Sequence, residues 1–333
     1  MTRAASIVGI AALTLIAGCG GEKESGTEVE CENAVTLWPG DGESAVYYRT
    51  TIEATFDEPD EGASISVNDG AVSGSTAWDG DKLVFTPDSP LDPSASYTVA
   101  VDYSCGSPSV SWSTSEVGAT TTSSSLLGKA YILDISSGRF LQPPDVGDIL
   151  AAYLEQDILM SVTDATDSEI TMIGAISIEG SEPPAQDTCS PTIEFPTANF
   201  SGNPYFEVGP ETTSITVADF TITIEDLEVS GAFSPDGSYI SGGVLAGTID
   251  TRPLDGLLDD SGEGGAICDI AGSIGVSCEP CPDGEAFCLT IYVDSIVMTE
   301  LAGGLEEIPE DAVCDRPECQ EEDECQDGGT TGT

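Results

Sequence analysis

The chain contains no histidine. This absence excludes Ser-His-Asp and Cys-His nucleophilic sites, zinc sites with histidine ligands, and the commonest proton shuttle at neutral pH. No G-x-S-x-G motif, no Walker loop and no G-x-G-x-x-G turn between a strand and a helix is present either. A Ser-Lys pair using Lys23, Lys82 or Lys129 and a two-carboxylate hydrolase stay open. We expect neither, and predict that the chain is not an enzyme.

Basic residues are scarce: 8 lysines and arginines stand against 60 acidic residues, for a net charge of −52. Repulsion from phosphates excludes nucleic acid as a partner, and repulsion from anionic headgroups excludes peripheral membrane binding by charge. The acids are spread along the chain, which favours a solvated surface suited to high salt over a cationic partner. We expect no cofactor, with calcium as the weak alternative at the acidic loops 57–61 and 259–263, neither of which fits the EF-hand pattern.

A short apolar run opens the chain. It covers residues 7–16, follows the positive charge of Arg3, and ends in small residues before Cys19. Such a run is too short for a membrane span and is typical of a secretory signal peptide. We therefore predict a signal peptide over residues 1–18.

The segment Leu15-Ile16-Ala17-Gly18-Cys19 resembles the bacterial lipobox. The resemblance implies that Cys19 is acylated and begins the mature protein; a plain secreted protein with a chance cysteine is the alternative. The absence of aspartate at position 20 favours, by the same resemblance, the outer membrane. We predict a lipid-anchored protein of the cell envelope, on either membrane face. The polar residues 19–30 are predicted to be a flexible tether.

Residues 31–116 alternate β-type runs with clusters of turn residues, as an all-β sandwich does. Proline, glycine and aspartate in those clusters fix the turns and end the strands. The predicted strands are 34–37, 51–56, 64–67, 82–86, 96–102 and 109–113.

Several short motifs of this domain carry a family resemblance through their order and spacing: 39–42 (PGDG), 52–59 (IEATFDEP), 83–87 (LVFTP) and 112–114 (WST). They resemble the SbsA-type bacterial Ig-like domain of S-layer and surface proteins, although Ser113 stands where that family tends to carry an aromatic. The resemblance implies an Ig-like sandwich that acts as a spacer or interaction module and has no catalytic residues. All three tryptophans fall here, and we expect them to pack in the core or at an edge rather than to form a binding strip.

Small polar residues at 117–125 predict a linker. Residues 126–303 then read as a second antiparallel sandwich or barrel of about eight strands. The residues 234–237 (SPDG) predict a hairpin turn, and the pattern after Asp145 predicts one amphipathic helix over 145–154 that packs on the sheet. The predicted strands are 129–135, 158–162, 170–178, 192–195, 214–217, 220–233, 239–250 and 289–298; in the sixth, Phe220, Ile222, Ile224 and Asp226 are expected on one face.

With Cys19 assigned to lipid, 11 cysteines become ten, an even set that predicts up to five disulfides in an exported chain. The first domain holds two cysteines, which we expect to pair. The second domain holds five and the tail three, so if all of them are oxidised within one chain, at least one bridge must join the tail to the second domain. Cys278 and Cys281 form a C-x-x-C motif, which also allows a redox pair or a four-thiolate metal site; structural disulfides are favoured. The candidates are Cys31, Cys105, Cys189, Cys268, Cys278, Cys281, Cys288, Cys314, Cys319 and Cys325.

Three functions remain open. We favour a non-enzymatic lipoprotein with a spacer or adhesion-like role, held at the membrane by its lipid and partnered by an envelope protein or a glycan. A glycan- or peptide-binding accessory lipoprotein is the alternative, and a carboxylate-based hydrolase comes third. The acidic tail 304–333 is predicted to lie on the surface, held only by its cysteines. The candidate ligand patch of the second function consists of Phe195, Phe200, Tyr205 and Phe206.

Overall fold

Antiparallel β-strands form most of the computed structural model, which describes residues 33–144, 156–217, 220–257, 265–273 and 275–319. The predicted signal peptide, the predicted lipidation site Cys19 and the predicted tether lie outside the described residues. The predicted helix over 145–154 lies outside them as well. No helix of the described ranges is both long and apolar enough to cross a membrane.

The first domain is a sandwich of two sheets. One has the order β1-β2-β5-β4 and the other β3-β6-β7. Alternate side chains of both sheets meet between them, including Phe56, Phe85, Val99 and Trp112. The strands are β1 (Val35–Trp38), β2 (Ile52–Phe56), β3 (Ser64–Val67), β4 (Gly74–Asp79), β5 (Lys82–Pro87), β6 (Ser96–Asp102) and β7 (Ser109–Ser113).

All six strands predicted for this domain are present. The seventh, β4, was not predicted because all its six residues are exposed, so it shows no apolar alternation. It forms an edge of its sheet by pairing only with β5. An edge strand with both faces exposed leaves no hydrophobic period in the sequence.

The second domain is built on a single ten-stranded sheet with the main order β12-β11-β10-β8-β17-β16-β15-β14. The sheet curls until β13 contacts β14, which makes it nearly a barrel. The mainly β, antiparallel, disulfide-linked fold class predicted from the sequence is therefore confirmed. Its strands are β8 (Ala130–Asp134), β9 (Arg139–Gln142), β10 (Ile158–Ala165), β11 (Glu169–Ile176), β12 (Ile193–Glu194), β13 (Ala198–Asn199), β14 (Tyr205–Val217), β15 (Phe220–Phe233), β16 (Tyr239–Asp250) and β17 (Cys288–Leu301).

The predicted turn between β15 and β16 is present. Gly237 has a φ of +69°, and its N–H donates to the carbonyl of Ser234 at 2.9 Å. Tyr131 and Lys129 donate to the Gly237 carbonyl at 2.8 and 3.0 Å, which ties the turn to the start of β8.

The predicted alternation along β15 fails at Asp226, which has a φ of +51° and lies at a shift in the register with β16. Asp226 is exposed rather than aligned with the buried Ile222, and the next inward side chains are Leu227 and Val229. The shift is a β-bulge, which changes which residues face the core.

One helix of the described residues, α1 (Ala266–Ser273), was not predicted. At the N-terminus of α1, the buried Asp255 accepts hydrogen bonds from the N–H group of Gly265, just before the helix, and from that of Ile267, in its first turn. A carboxylate at this end satisfies N–H groups that lack partners within the helix.

Three disulfides are present among the described residues: Cys189–Cys319, Cys268–Cys278 and Cys281–Cys288. The first joins the tail to the second domain, as the odd cysteine counts require. Cys105 and Cys314 are also disulfide-bonded, whereas Cys31 and Cys325 lie outside the described residues.

The described part of the tail is held by more than its cysteines, so that prediction is wrong. Ile308 is fully buried with Val313 and Cys319 in a small apolar cluster. Its N–H donates to the Thr192 hydroxyl at 3.0 Å, and its carbonyl accepts from the Thr192 N–H at 2.9 Å. The few apolar residues of this acidic segment are therefore the ones that anchor it.

Candidate functional site

The two domains meet in a packed junction. Tyr48, in the loop between β1 and β2, is buried against Val117 and Ala232. The ring of Tyr47 lies directly on Gly242 of β16, where a Cβ would collide with it and where φ is +60°. Burial raises the pKa of the Tyr47 phenol above its usual value. Glycine is required at position 242 by both the close approach and the backbone conformation.

An ion-pair network forms the second part of the junction. Arg139 of β9 donates to Asp294 of its own domain at 2.9 and 2.8 Å and to Glu53 of β2 at 3.2 Å. The Arg139 guanidinium also lies 4.5 Å from the centre of the Trp38 ring. Burial acts to lower the pKa of Arg139, but the hydrogen bonds and charges of Asp294 and Glu53 outweigh it and raise the pKa. One cation thus joins a carboxylate and an aromatic ring of the first domain to the second.

The linker over 117–125 completes the junction. The backbone of Thr121 and the side-chain amide of Asn203 exchange hydrogen bonds of 3.0 and 2.9 Å. The Thr121 hydroxyl donates to the Pro235 carbonyl at 3.1 Å, and the Ser123 hydroxyl donates to Asp167 at 3.1 Å. Thr121 and Ser123 therefore bind this segment to the second domain.

The predicted aromatic ligand patch does not form. Phe195, Phe200 and Phe206 are at most 3% exposed and belong to the core of the second domain. Only Tyr205 reaches the surface. Residues alternate along β14, so Phe206 points inward and Tyr205 outward. A ligand at the surface cannot reach the three phenylalanines.

The C-x-x-C motif does not form a redox pair. Cys278 bonds to Cys268 and Cys281 to Cys288, so neither motif cysteine is bonded to the other. A thiolate metal site is excluded for the same reason, since all four sulfurs are in disulfides. The Cys268–Cys278 bond links α1 to the loop that follows it, and the Cys281–Cys288 bond links that loop to the start of β17.

The tryptophans do not form a strip. Trp112 is buried in stacking contact with Tyr97, Trp38 lies under Arg139, and Trp78 is 37% exposed on the edge strand β4 beside Phe56. Each occupies a different environment, and the first two have structural partners.

The lysines and acidic loops that could carry chemistry have other contacts. Lys82 pairs with Glu53 at 3.4 Å and Lys129 with Glu300 at 3.0 Å, whereas Lys23 lies outside the described residues.

In the acidic loop 57–61, Asp60 accepts backbone hydrogen bonds from Ser104 and Gly62, and these lower its pKa. The loop 259–263 is outside the described residues. In the ranges that are described, no three His, Cys, Asp or Glu side chains are grouped to hold a metal ion.

The depressions on the described surface of the second domain include two that adjoin its loops and edge strands. One of about 650 Å³ is lined by residues 180–184 and Asp157. The other, of about 490 Å³, lies between β13 and β14 and includes Asn199, Tyr205 and Glu207. The second is next to the junction, because Arg49 of the first domain lies 4.0 Å from the centre of the Tyr205 ring.

Arg49 and Arg139 were not identified from the sequence. Their partners Tyr205 and Glu53 lie in the other domain, far away along the chain. The one available signal was their rarity, since so few basic residues stand among 60 acids.

Residues 32–123 match the family model described as bacterial Ig-like domain, which confirms that part of the resemblance. The search of curated proteins found no match. Among solved structures, L,D-transpeptidase 3 from Mycobacterium tuberculosis has 20% sequence identity and a TM-score of 0.20, covering 25% of this chain and 37% of that one. An L,D-transpeptidase from Mycobacterium smegmatis has 15% identity and a TM-score of 0.23, covering 60% and 76%.

The present chain thus spans little more than a third of the M. tuberculosis enzyme. TM-scores this low carry no argument about the fold or the activity of the chain.

Proposed function

We propose that this chain is a lipid-anchored, non-enzymatic protein of the cell envelope, in which the Ig-like domain is a rigid spacer that presents the second domain to a partner. The junction carries this proposal. Tyr47 on Gly242, Arg139 between Glu53 and Asp294, and the bonded linker together hold one domain against the other. A spacer with a fixed orientation presents one chosen face of the domain beyond it.

The anchor is the part of the proposal that rests on the sequence. The lipobox-like segment ends at Cys19, and a net charge of −52 opposes attachment to anionic lipid by charge. Acyl chains contribute about 0.8 kcal/mol for each buried methylene, so two or more chains hold such a protein at a bilayer. We place the protein at the outer membrane because the residue after Cys19 is glycine.

The anchor is tested by metabolic labelling with an alkyne analogue of palmitate in a bacterial host. Label is expected in the full-length protein and in a Ser25→Ala control within the tether, and it should be lost in Cys19→Ala. Detergent phase partition should follow the label. Absence of label from the unaltered protein, or its persistence in Cys19→Ala, would refute the lipid anchor.

A further inference from the structure

The ten-stranded sheet has a seam where its ends meet. β14 pairs with β15 and β13 pairs with β11, but within the described ranges no ladder joins β13 to β14, although the two strands are in contact. Each strand therefore has one edge without a partner strand. The backbone groups on such an edge are available to other donors and acceptors.

The depression of about 490 Å³ lies at this seam. Phe206 and Val208 of β14 are fully buried, which places the intervening Tyr205 and Glu207 on the outer face. Tyr205 supplies the one aromatic ring in its lining; the other side chains are small or polar. The lining residues that could contact a ligand are Thr197, Asn199, Ser201, Tyr205 and Glu207.

The Tyr205 ring is held in place from two directions. Its hydroxyl donates to Glu207 at 2.8 Å, and Arg49 covers one ring face at 4.0 Å. The Arg49 Nε donates to the Tyr48 hydroxyl at 3.1 Å, so the guanidinium itself is fixed by the junction. A ring held this way loses little freedom when a ligand binds to it.

Arg49 differs from the other basic side chains of the described residues. Each of those forms an ion pair with a carboxylate, namely Lys82, Lys129, Arg139, Arg252 and Arg316. Arg49 makes no such pair there and is exposed, in a protein with 60 acidic residues. Its terminal N–H groups remain available as hydrogen-bond donors beside the depression.

We propose that the depression between β13 and β14 binds a neutral saccharide. The face of the Tyr205 ring opposite Arg49 packs against the C–H groups of a sugar ring. Arg49 and the Asn199 amide donate to sugar hydroxyls, and Glu207 accepts from them. The Asn199 oxygen already accepts from the Ser201 N–H at 2.8 Å, which fixes the amide orientation. Sites of this kind combine an apolar surface with a few placed polar groups and occur preferentially at domain interfaces.

Charge selects the ligand class. A net charge of −52 repels anionic ligands, and a purely apolar ligand would leave the polar groups of Asn199, Ser201 and Glu207 in the lining without partners. A neutral polyol is not repelled by the negative charge, and its hydroxyls can hydrogen-bond to the polar groups of the lining. The inference deepens the proposed interaction role by naming a ligand class, and does not depend on the lipid anchor: labelling of Cys19 and saccharide binding can fail independently.

The test is isothermal titration calorimetry of the full-length mature protein in about 0.15 M salt, where the charge field is largely screened. The probes are oligomers of N-acetylated amino sugars, of the kind found in bacterial envelopes, and of unmodified glucose or xylose. One of the two probe classes should bind with a Kd below about 1 mM, and the class that binds identifies the source. Tyr205→Ala should weaken binding at least about tenfold, while Tyr205→Phe should retain most of it.

Two further variants keep the test independent of folding. Asn199→Ala removes an exposed side chain, together with its hydrogen bond from the Ser201 N–H, and should weaken binding several-fold while circular dichroism stays unchanged. Tyr292→Ala removes an exposed tyrosine from β17 and should leave the Kd unchanged. Failure of both saccharide classes to bind would overturn the inference. So would saccharide binding that is insensitive to Tyr205→Ala, or Tyr205-dependent binding of a lysine-rich peptide without any saccharide binding.

Discussion

The Ig-like domain and the second domain are both antiparallel, but they enclose their cores differently. The first uses two sheets with strands of four to seven residues, and its core is sealed between them. The second curls one sheet with strands of up to 14 residues and leaves a seam between β13 and β14. The sealed sandwich suits a spacer, whereas the seam provides a place for a ligand.

The largest expected effect concerns the disulfides on which the second domain depends. The Cys189–Cys319 bridge spans 130 residues and Cys281–Cys288 spans 7. In the chain-entropy model these loops correspond to about 5 and about 2 kcal/mol of stability. The double variant Cys189→Ser with Cys319→Ser should lose that larger amount in urea unfolding followed by circular dichroism. Cys281→Ser with Cys288→Ser is the control, and equal losses would contradict the account.

Phe233→Ala tests whether the domains remain coupled when only one is weakened. Phe233 is fully buried among Phe200, Phe206 and Tyr131, and its truncation should cost about 3–5 kcal/mol. All three tryptophans lie in the first domain, and Trp38 contacts Arg139 of the second, so their fluorescence reports on the first domain and on the junction. We expect the fluorescence and circular dichroism midpoints to fall together.

Val297→Ala, at a 40% exposed position of β17, is the control for that variant and should change stability by less than about 0.5 kcal/mol. An unchanged fluorescence midpoint in Phe233→Ala would mean that the junction does not couple the domains.

Arg139→Ala removes the cation that joins the domains. Glu53 is 8% exposed and would keep Lys82, at 3.4 Å, as its one cationic partner among the described residues, with the Thr51 hydroxyl at 3.5 Å. Breaking a fully buried pair costs about 3–5 kcal/mol, but the Arg139 side chain is 26% exposed, so we expect about 1–3 kcal/mol. The fluorescence and circular dichroism transitions should also separate. In the control Arg252→Ala, both lost partners, Asp250 and Asp283, lie in the second domain, and the transitions should stay together.

The smallest effect is a pH dependence at the turn between β15 and β16. Hydrogen bonds from Ser238 and then Ser234 lower the pKa of Asp236 from 3.8 to about 2. Because the pKa is lower in the folded state, the carboxylate stabilises the fold above pH 3.8, and this contribution is lost as the pH falls towards 2.

Asp236→Asn should therefore lower the melting temperature at pH 7, and the difference from the unaltered chain should shrink as the pH falls to about 2. Asp164→Asn, which removes one exposed charge on β10, is the control. A difference that does not vary with pH would contradict the role of the Asp236 charge.

The same contrast between the domains explains what the sequence predicts well. In the first domain, short strands with alternating apolar residues stand between turn clusters, and only the fully exposed β4 escapes the pattern. In the second, β14 begins at Tyr205, well before the predicted 214–217, because Gly209-Pro210 looks like a turn. A proline is tolerated there because β14 is an edge strand and a register shift follows Val208.

The site was harder to predict than the fold. The sequence predicts only residues 214–217 of β14, so it gives no alternation that would distinguish the inward Phe206 from the outward Tyr205. The junction pairs residues of two domains, so Arg49 with Tyr205 and Tyr47 with Gly242 leave no local pattern. Such contacts depend on how two finished domains fit together, which periodicity does not encode.

The fixed orientation of the domains is tested most directly by residual dipolar couplings of the weakly aligned full-length protein. We predict that one alignment tensor fits the backbone N–H couplings of both domains. The variant combining Arg139→Ala with Gly242→Ala should instead require two tensors. Two tensors of different magnitude in the unaltered protein would contradict the rigid spacer.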